Sequence, residues 1–318
     1  MKRGRRNPPL TAVDDSYSEE QQPSEVPLAR NTRHRFKSRT LPMLVMVSPV
    51  TLWLVLLIAL PLMYVLFISF CTVDESHNIV VSFSLENYAR LFDPLYLGVY
   101  ANSLFIAAVS TIVCILLGYP FAYSMANAGR VRKTVMMILL MLPFWTNSLI
   151  RIYGWRTILG SNGVLNNVLE SLGLIQQPLE ILYTPFAIIL GMVYTLFPFM
   201  VLPIFTSVDK LDRTLLEAAS DLGAKRGRAF WHITLPLTAS GIFAGSIMVF
   251  IPVLGFFFVA DLMGGGTQQM IGNLIERQFK EAYNWPLGAA LSIILIVLTI
   301  VLVRIYTRTS GGEMKNLV

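Results

Sequence analysis

Six long stretches of this chain carry no Asp, Glu, Lys or Arg at all. They lie between Arg39 and Asp74, Asp93 and Arg130, Lys133 and Arg151, Glu180 and Asp209, Arg228 and Asp261, and Glu281 and Arg304. Each holds an apolar run near the roughly 20 residues that an α-helix needs to cross a bilayer. Helices are predicted near 43–70, 102–126, 134–150, 184–206, 238–260 and 286–306. The runs, such as Leu52–Leu66, are apolar on every face, which suits helices in lipid rather than transmembrane strands of alternating polarity. Charged residues make up only 14% of the 318, and hydrophobic ones 54%. A soluble domain needs about 25% charge for its surface, so a soluble enzyme, a disulfide scaffold and a disordered chain are all excluded. Two cysteines, Cys71 and Cys114, make no disulfide framework.

An even number of spans puts both ends on one side. That side collects 20 of the 25 Lys and Arg, in the residues before 40, the 127–133 and 207–237 loops and the C-terminus. The other side has only Arg90, Arg151, Arg156, Arg277 and Lys280. The positive-inside rule then makes both termini cytoplasmic. The opposite face holds nine acids against these five bases. Residues 1–40 are polar and proline-bearing, and read as a disordered cytoplasmic tail rather than a signal peptide. The membrane domain is expected over 41–308 and a short cytoplasmic tail over 309–318.

The loop over 209–236 is patterned like a folded element. Asp212 is placed to cap a helix. Leu215, Leu216, Ala219 and Leu222 fall on one face of it, and Gly223 stands where a left-handed residue would end it. A second amphipathic turn carries Phe230 and Ile233 and is expected to stop before Pro236. An apolar face in a loop outside the bilayer needs a partner. Ala218 and Ala219 allow close approach, and Glu217 offers a charge for a partner's base.

Glu217-Ala-Ala219, three residues, Gly223, nine residues, Ile233, one residue and Leu235-Pro236 match the EAA motif in both spacings. The chain therefore resembles permeases of binding-protein-dependent ABC importers. Asp93-Pro-Leu-Tyr96, Leu117-Gly-Tyr-Pro-Phe-Ala122, Leu142-Pro-Phe-Trp-Thr-Asn-Ser-Leu-Ile-Arg-Ile-Tyr-Gly154, Asn162-Gly-Val-Leu-Asn166, Phe197-Pro-Phe-Met-Val-Leu-Pro203 and Asn284-Trp-Pro286 narrow the likeness. They are similar to the PotB-type permease family of spermidine/putrescine importers. The related PotH type, for putrescine, shares many of these words, and Leu142–Ser148 leans toward the PotB type. The resemblance spans about residues 75–305.

The resemblance implies an all-α membrane protein of the type I ABC importer permease architecture, with six transmembrane helices. It makes Glu217, Ala218, Ala219, Gly223, Ile233, Leu235 and Pro236 the coupling segment that docks on an ATPase subunit. It also implies a second homologous permease (PotC type), two ATPase copies (PotA type), and a periplasmic binding protein (PotD type). No Gly-Lys dipeptide occurs in the chain, and a phosphate-binding P-loop needs one. ATP and magnesium are therefore expected on the partner, with no cofactor here. No His, Cys and acid cluster has metal spacing, and the dispersed bases are explained by topology, not nucleic acid. An importer for another cationic or small organic solute is the alternative; an ion-coupled carrier is disfavoured, because the six cores hold no ionisable residue.

A polyamine needs carboxylates and aromatic faces along its path. Asp261, after Phe256-Phe-Phe-Val-Ala260 and before three glycines, is the foremost path candidate. Trp145, Asn147 and Tyr153 at the outer end of the third span, and Tyr194 in the fourth, complete the set. The topology is checked by His77→Cys and Arg226→Cys in a chain without its native cysteines. Position 77 should react with an impermeant thiol reagent from outside, and position 226 only after permeabilisation; the reverse pattern would invert every sided expectation.

Overall fold

The computed structural model describes residues 37–74 and 76–315. Nearly all of the expected N-terminal tail, residues 1–36, lies outside the described residues. The chain divides into two units, Met1–Ile58 and Ala59–Val318. The first helix, α1 (Lys37–Ser69), runs across that division. After it come a two-residue antiparallel pair, β1 (Thr72–Val73) with β2 (Ile79–Val80), and a short α2 (Glu86–Arg90). Then follow α3 (Pro94–Ala126), α4 (Arg130–Met141), α5 (Ser148–Leu159), α6 (Val164–Ser171) and α7 (Pro185–Asp209). The remainder is α8 (Arg213–Asp221), α9 (Arg226–Ala229), α10 (Leu235–Gly255), α11 (Phe257–Gly264), α12 (Ile271–Lys280) and α13 (Trp285–Lys315). Among the described residues, five helices are long and apolar enough to span a membrane, or six if one bent pair counts as a span.

The second unit is organised around α7. Ile188, Met192, Leu196, Met200 and Ile204 recur every four residues along it and are all fully buried. α3 covers one side of α7 and α10 another. Helices in lipid gain little from apolar burial against each other, so their contact relies on close packing of small residues. Gly241 and Gly245, one turn apart on α10, provide that approach. A Cβ on Gly241 would lie 2.6 Å from the Pro203 carbonyl oxygen, and one on Gly245 would lie 3.0 Å from that of Met200. Near the far end, the Tyr119 hydroxyl meets the Thr238 hydroxyl at 2.9 Å and joins α3 to α10.

The predicted spans differ from these helices in instructive ways. α3 starts eight residues before the expected 102, because Asp93 caps it, accepting from the Leu95 amide at 3.1 Å, and Pro94 opens its first turn. The single third span expected over 134–150 is broken. α4 ends at Met141, a 3₁₀ turn covers Leu142–Trp145, and the chain resumes as α5 with a bend of 94°. Pro143 cannot donate to an α-helical ladder, and Asn147 starts a new helix by accepting from the Leu149 amide at 2.8 Å. With 12 residues, α4 extends only about 18 Å, well short of the ~30 Å hydrocarbon core.

The fifth span, expected over 238–260, is broken too. α10 ends at Gly255, and Phe256 leaves helical geometry with ψ 71°. Asp261 therefore sits on the separate α11. At the other terminus α13 continues to Lys315, where a tail was expected.

The close approach of α10 to α7 sets a stability expectation. Gly241→Val places its side chain against the Ser207 side chain and the Pro203 carbonyl. It should cost about 1–3 kcal/mol by overpacking, read as a lower thermal midpoint in detergent. A midpoint equal to wild type would mean that the two helices part freely at this point.

Candidate functional site

The two ends of the α7 bundle carry different groups. At the end where α7 finishes, Lys133 at the start of α4 pairs with Asp209 at 2.6 Å and lies 4.8 Å from the Phe205 ring centre. The 209–236 segment continues from there. Asp212 caps α8 as its sequence predicts, accepting from the Thr214 amide at 3.0 Å. That bond holds its carboxyl below the usual range. Gly223 has φ +81°, the left-handed conformation its position requires. No heavy atom lies within 4 Å of a Cβ built there, so backbone conformation alone selects glycine.

The expected apolar face divides in two. Ala219 is buried and Leu216 half-buried, whereas Leu215 is 46% exposed and Leu222 89%. Glu217 and Ala218 are exposed as well, and Glu217 has no ion pair among the described residues. Leu215 and Leu222 are thus apolar side chains that this chain leaves uncovered.

The chain does not stop before Pro236. α9 passes into a π-helical turn over Phe230–Thr234 and on into α10 without a break, giving one continuous helix over Arg226–Gly255. Within the turn the Leu235 amide bonds to the Phe230 carbonyl, five residues back. A wide turn accommodates a proline because it reroutes the ladder around the donor that proline lacks. Ile233 is half-buried and Pro236 exposed. Phe230 turns inward against Tyr119 and Tyr123 of α3, edge-on at 5.6 and 6.0 Å.

At the opposite end, α11 folds back on α7. The Tyr183 amide donates to the Met263 carbonyl at 2.8 Å. Asp261 is half-buried and accepts a 2.5 Å hydrogen bond from the Asn273 side chain on α12. Asn273, itself buried, also donates to the Phe257 carbonyl at 2.9 Å. Burial pushes the Asp261 carboxyl above its usual range, opposed by the Asn273 bond; Glu276 adds to the rise and Arg277 counters it. Asp261 thus ties α11 to α12.

The other expected path residues are not gathered around Asp261. Trp145 is 91% exposed at the end of the 3₁₀ turn. The Asn147 side chain caps α5. Tyr153 is exposed on the same helix. Tyr194 instead belongs to a cluster that composition did not reveal. Arg151 lies over its ring at 5.6 Å and over that of Phe144 at 5.5 Å. Phe199 backs Phe144 at 5.1 Å, and Trp155 backs Tyr194 at 5.5 Å. In the sequence Arg151 stands only at the end of a charge-free run and among the five bases of the outer side. The signal for more was its setting, a lone base inside an otherwise apolar run of aromatic residues.

Other family words have structural explanations. The buried Asn166 donates to three carbonyls, of Gly160, Ser161 and Leu179, and accepts from the Leu179 amide, so it ties down the 160–179 connection. The Asn284 side chain accepts from the Leu287 amide at the start of α13.

Residues 115–310 match the family described as the inner membrane component of binding-protein-dependent transport systems. The spermidine/putrescine transport system permease protein PotB of Salmonella typhimurium strain LT2 is 47% identical over 258 residues, covering 81% of this chain and 90% of that protein. The Escherichia coli K12 protein of the same name is 45% identical over 265 residues, covering 83% and 96%. A bacterial alginate ABC transporter structure superposes with a TM-score of 0.71 at 19% identity, over 88% of this chain and 97% of that one. The chain belongs to the binding-protein-dependent transport inner membrane component family. It is a multi-pass, all-α permease subunit of the type I ABC importer architecture, a transport component rather than an enzyme, and it works with ATPase and substrate-binding partners.

The raised Asp261 value has a sign that can be tested. The folded state holds this proton more tightly than the unfolded chain does. The stability contributed by the protonated carboxyl is therefore present at low pH and lost as pH rises from the unfolded value, about 4, through the raised folded one. Asp261→Asn removes that loss. Its thermal midpoint, relative to wild type, should climb across this window and then level off. A difference that stays constant with pH would show a carboxyl in bulk-like surroundings.

Proposed function

We propose that the chain forms half of the translocation path for polyamines, spermidine and/or putrescine, in an ATP-driven importer. The observation that carries the reading is identity of 45–47% with PotB permeases over more than four fifths of the chain. The partners are then a second, homologous permease of the PotC type, two ATPase copies of the PotA type that bind ATP and magnesium, and a periplasmic binding protein of the PotD type. Both termini are cytoplasmic, and the end bearing 209–236 faces the ATPase.

In this reading Glu217, Ala218, Ala219, Gly223, Ile233, Leu235 and Pro236 shape the coupling segment. The exposed strip of Leu215, Glu217, Ala218 and Leu222 is what an ATPase groove would cover. The continuous helix through Phe230–Thr234 supports this role, since movement at the docked end passes directly into α10. Asp261 and Tyr194 line or border the path, and Trp145, Asn147 and Tyr153 stand at its edge.

The test is spermidine uptake by proteoliposomes holding the full importer. Uptake should require ATP and the binding protein. In Gly223→Val a β-branched residue must adopt positive φ, which it resists. The variant should assemble and still dock the binding protein, but lose tenfold or more of the ATP hydrolysis that loaded binding protein stimulates. Unchanged hydrolysis and uptake would remove the coupling assignment.

A further inference from the structure

The break between α4 and α5 holds a cation between aromatic faces. The Arg151 guanidinium lies 5.5 Å from the centre of the Phe144 ring and 5.6 Å from that of Tyr194. Each ring is braced edge-on by another, Phe199 and Trp155 respectively. These four rings come from the 3₁₀ turn, α5 and α7. The slot is therefore a product of packing between elements, not of one helix. Aromatic faces set around a position in this way form a common recognition device for organic cations.

Arg151 is weakly held for a charge in such a place. Among the described residues no carboxylate pairs with it. Its Nε is buried without an acceptor, a cost that native structures ordinarily avoid. It stands in the first turns of α5, where the helix dipole disfavours positive charge. Ionisable groups at membrane depth are usually paired. What holds the guanidinium is contact with two rings, and those rings would serve another cation equally well.

We propose that the Phe144–Tyr194 slot is a cation site on the solute path, and that Arg151 is its built-in plug, exchanged for an ammonium group of the passing solute. This rests on the polyamine reading above and goes beyond it. When an ammonium replaces the guanidinium, the rings lose one cation and gain another, so the exchange is close to neutral. A neutral or anionic solute returns nothing to the rings, and the plug stays in. Without solute, the fixed positive charge repels small cations and keeps the path closed to them.

The experiment is calorimetric titration of spermidine into the purified membrane complex of both permeases and the ATPase copies, without ATP and without binding protein. Arg151→Gln empties the slot and should tighten spermidine binding tenfold or more. Arg151→Lys keeps a cation there and should bind as wild type does. Adding Tyr194→Leu to Arg151→Gln removes one face and should abolish the gain. Arg151→Met, uncharged with a flexible stem, is the second unplugged form. No gain in either assembled variant, a gain that survives Tyr194→Leu, or failure of both to assemble overturns the plug. ATP-driven spermidine uptake by the wild-type importer separates the two ideas. Its absence overturns the polyamine reading, whereas intact uptake with no gain in binding overturns the plug alone.

Discussion

The close contact of α10 with α7 is what the rest of the second unit depends on. In hydrocarbon, lipid tails are as apolar as leucine, so burying side chains against each other earns helices little. Dispersion contact must do the holding, and it falls off steeply with distance. Gly241 and Gly245 bring the α10 backbone against that of α7 at Pro203 and Met200. The buried row from Ile188 to Ile204 packs α7 against α3 and α10. Both functional ends hang from this arrangement. Asp209 closes α7 at the end from which 209–236 continues, and Tyr183, just before α7 begins, holds α11 at the other.

α10 also links the two ends covalently. Its N-terminal extension passes back through the π-helical turn into α9. Its C-terminal end gives way at Phe256 to α11, which carries Asp261. The Phe230 ring, packed on Tyr119 and Tyr123, and the Tyr119–Thr238 hydrogen bond seat this turn against α3. The same turn thus continues into α10 and contacts α3.

The spans were legible because charge is excluded from hydrocarbon, and gaps between charges mark its extent. α7 and α13 begin within one residue of their predicted starts for that reason. The local structure at 212–223 was legible because capping and positive φ depend on single residues, Asp212 and Gly223, whose chemistry is local. The breaks at 142–147 and at Phe256 were not legible from charge. Apolar sequence continues across both, and only backbone chemistry, Pro143 with Asn147 in one case, distinguishes a bend from a span. Pro236 misled in the opposite sense, since a π turn absorbs the proline that would otherwise have ended the helix. The aromatic cluster around Arg151 was hidden because it joins residues some 50 positions apart on helices that meet only in the fold.

The broken span has a consequence for hydration. α4 is too short to cross the hydrocarbon core by itself, and beyond the 3₁₀ turn the backbone at Thr146 and Asn147 is non-helical. Lipid offers that backbone no hydrogen bonds, so such segments persist only where protein covers them or a wet cavity reaches them. Trp145 and Thr146 are exposed in this chain. The bend therefore defines the depth to which solvent, or the surface of a second subunit, must penetrate.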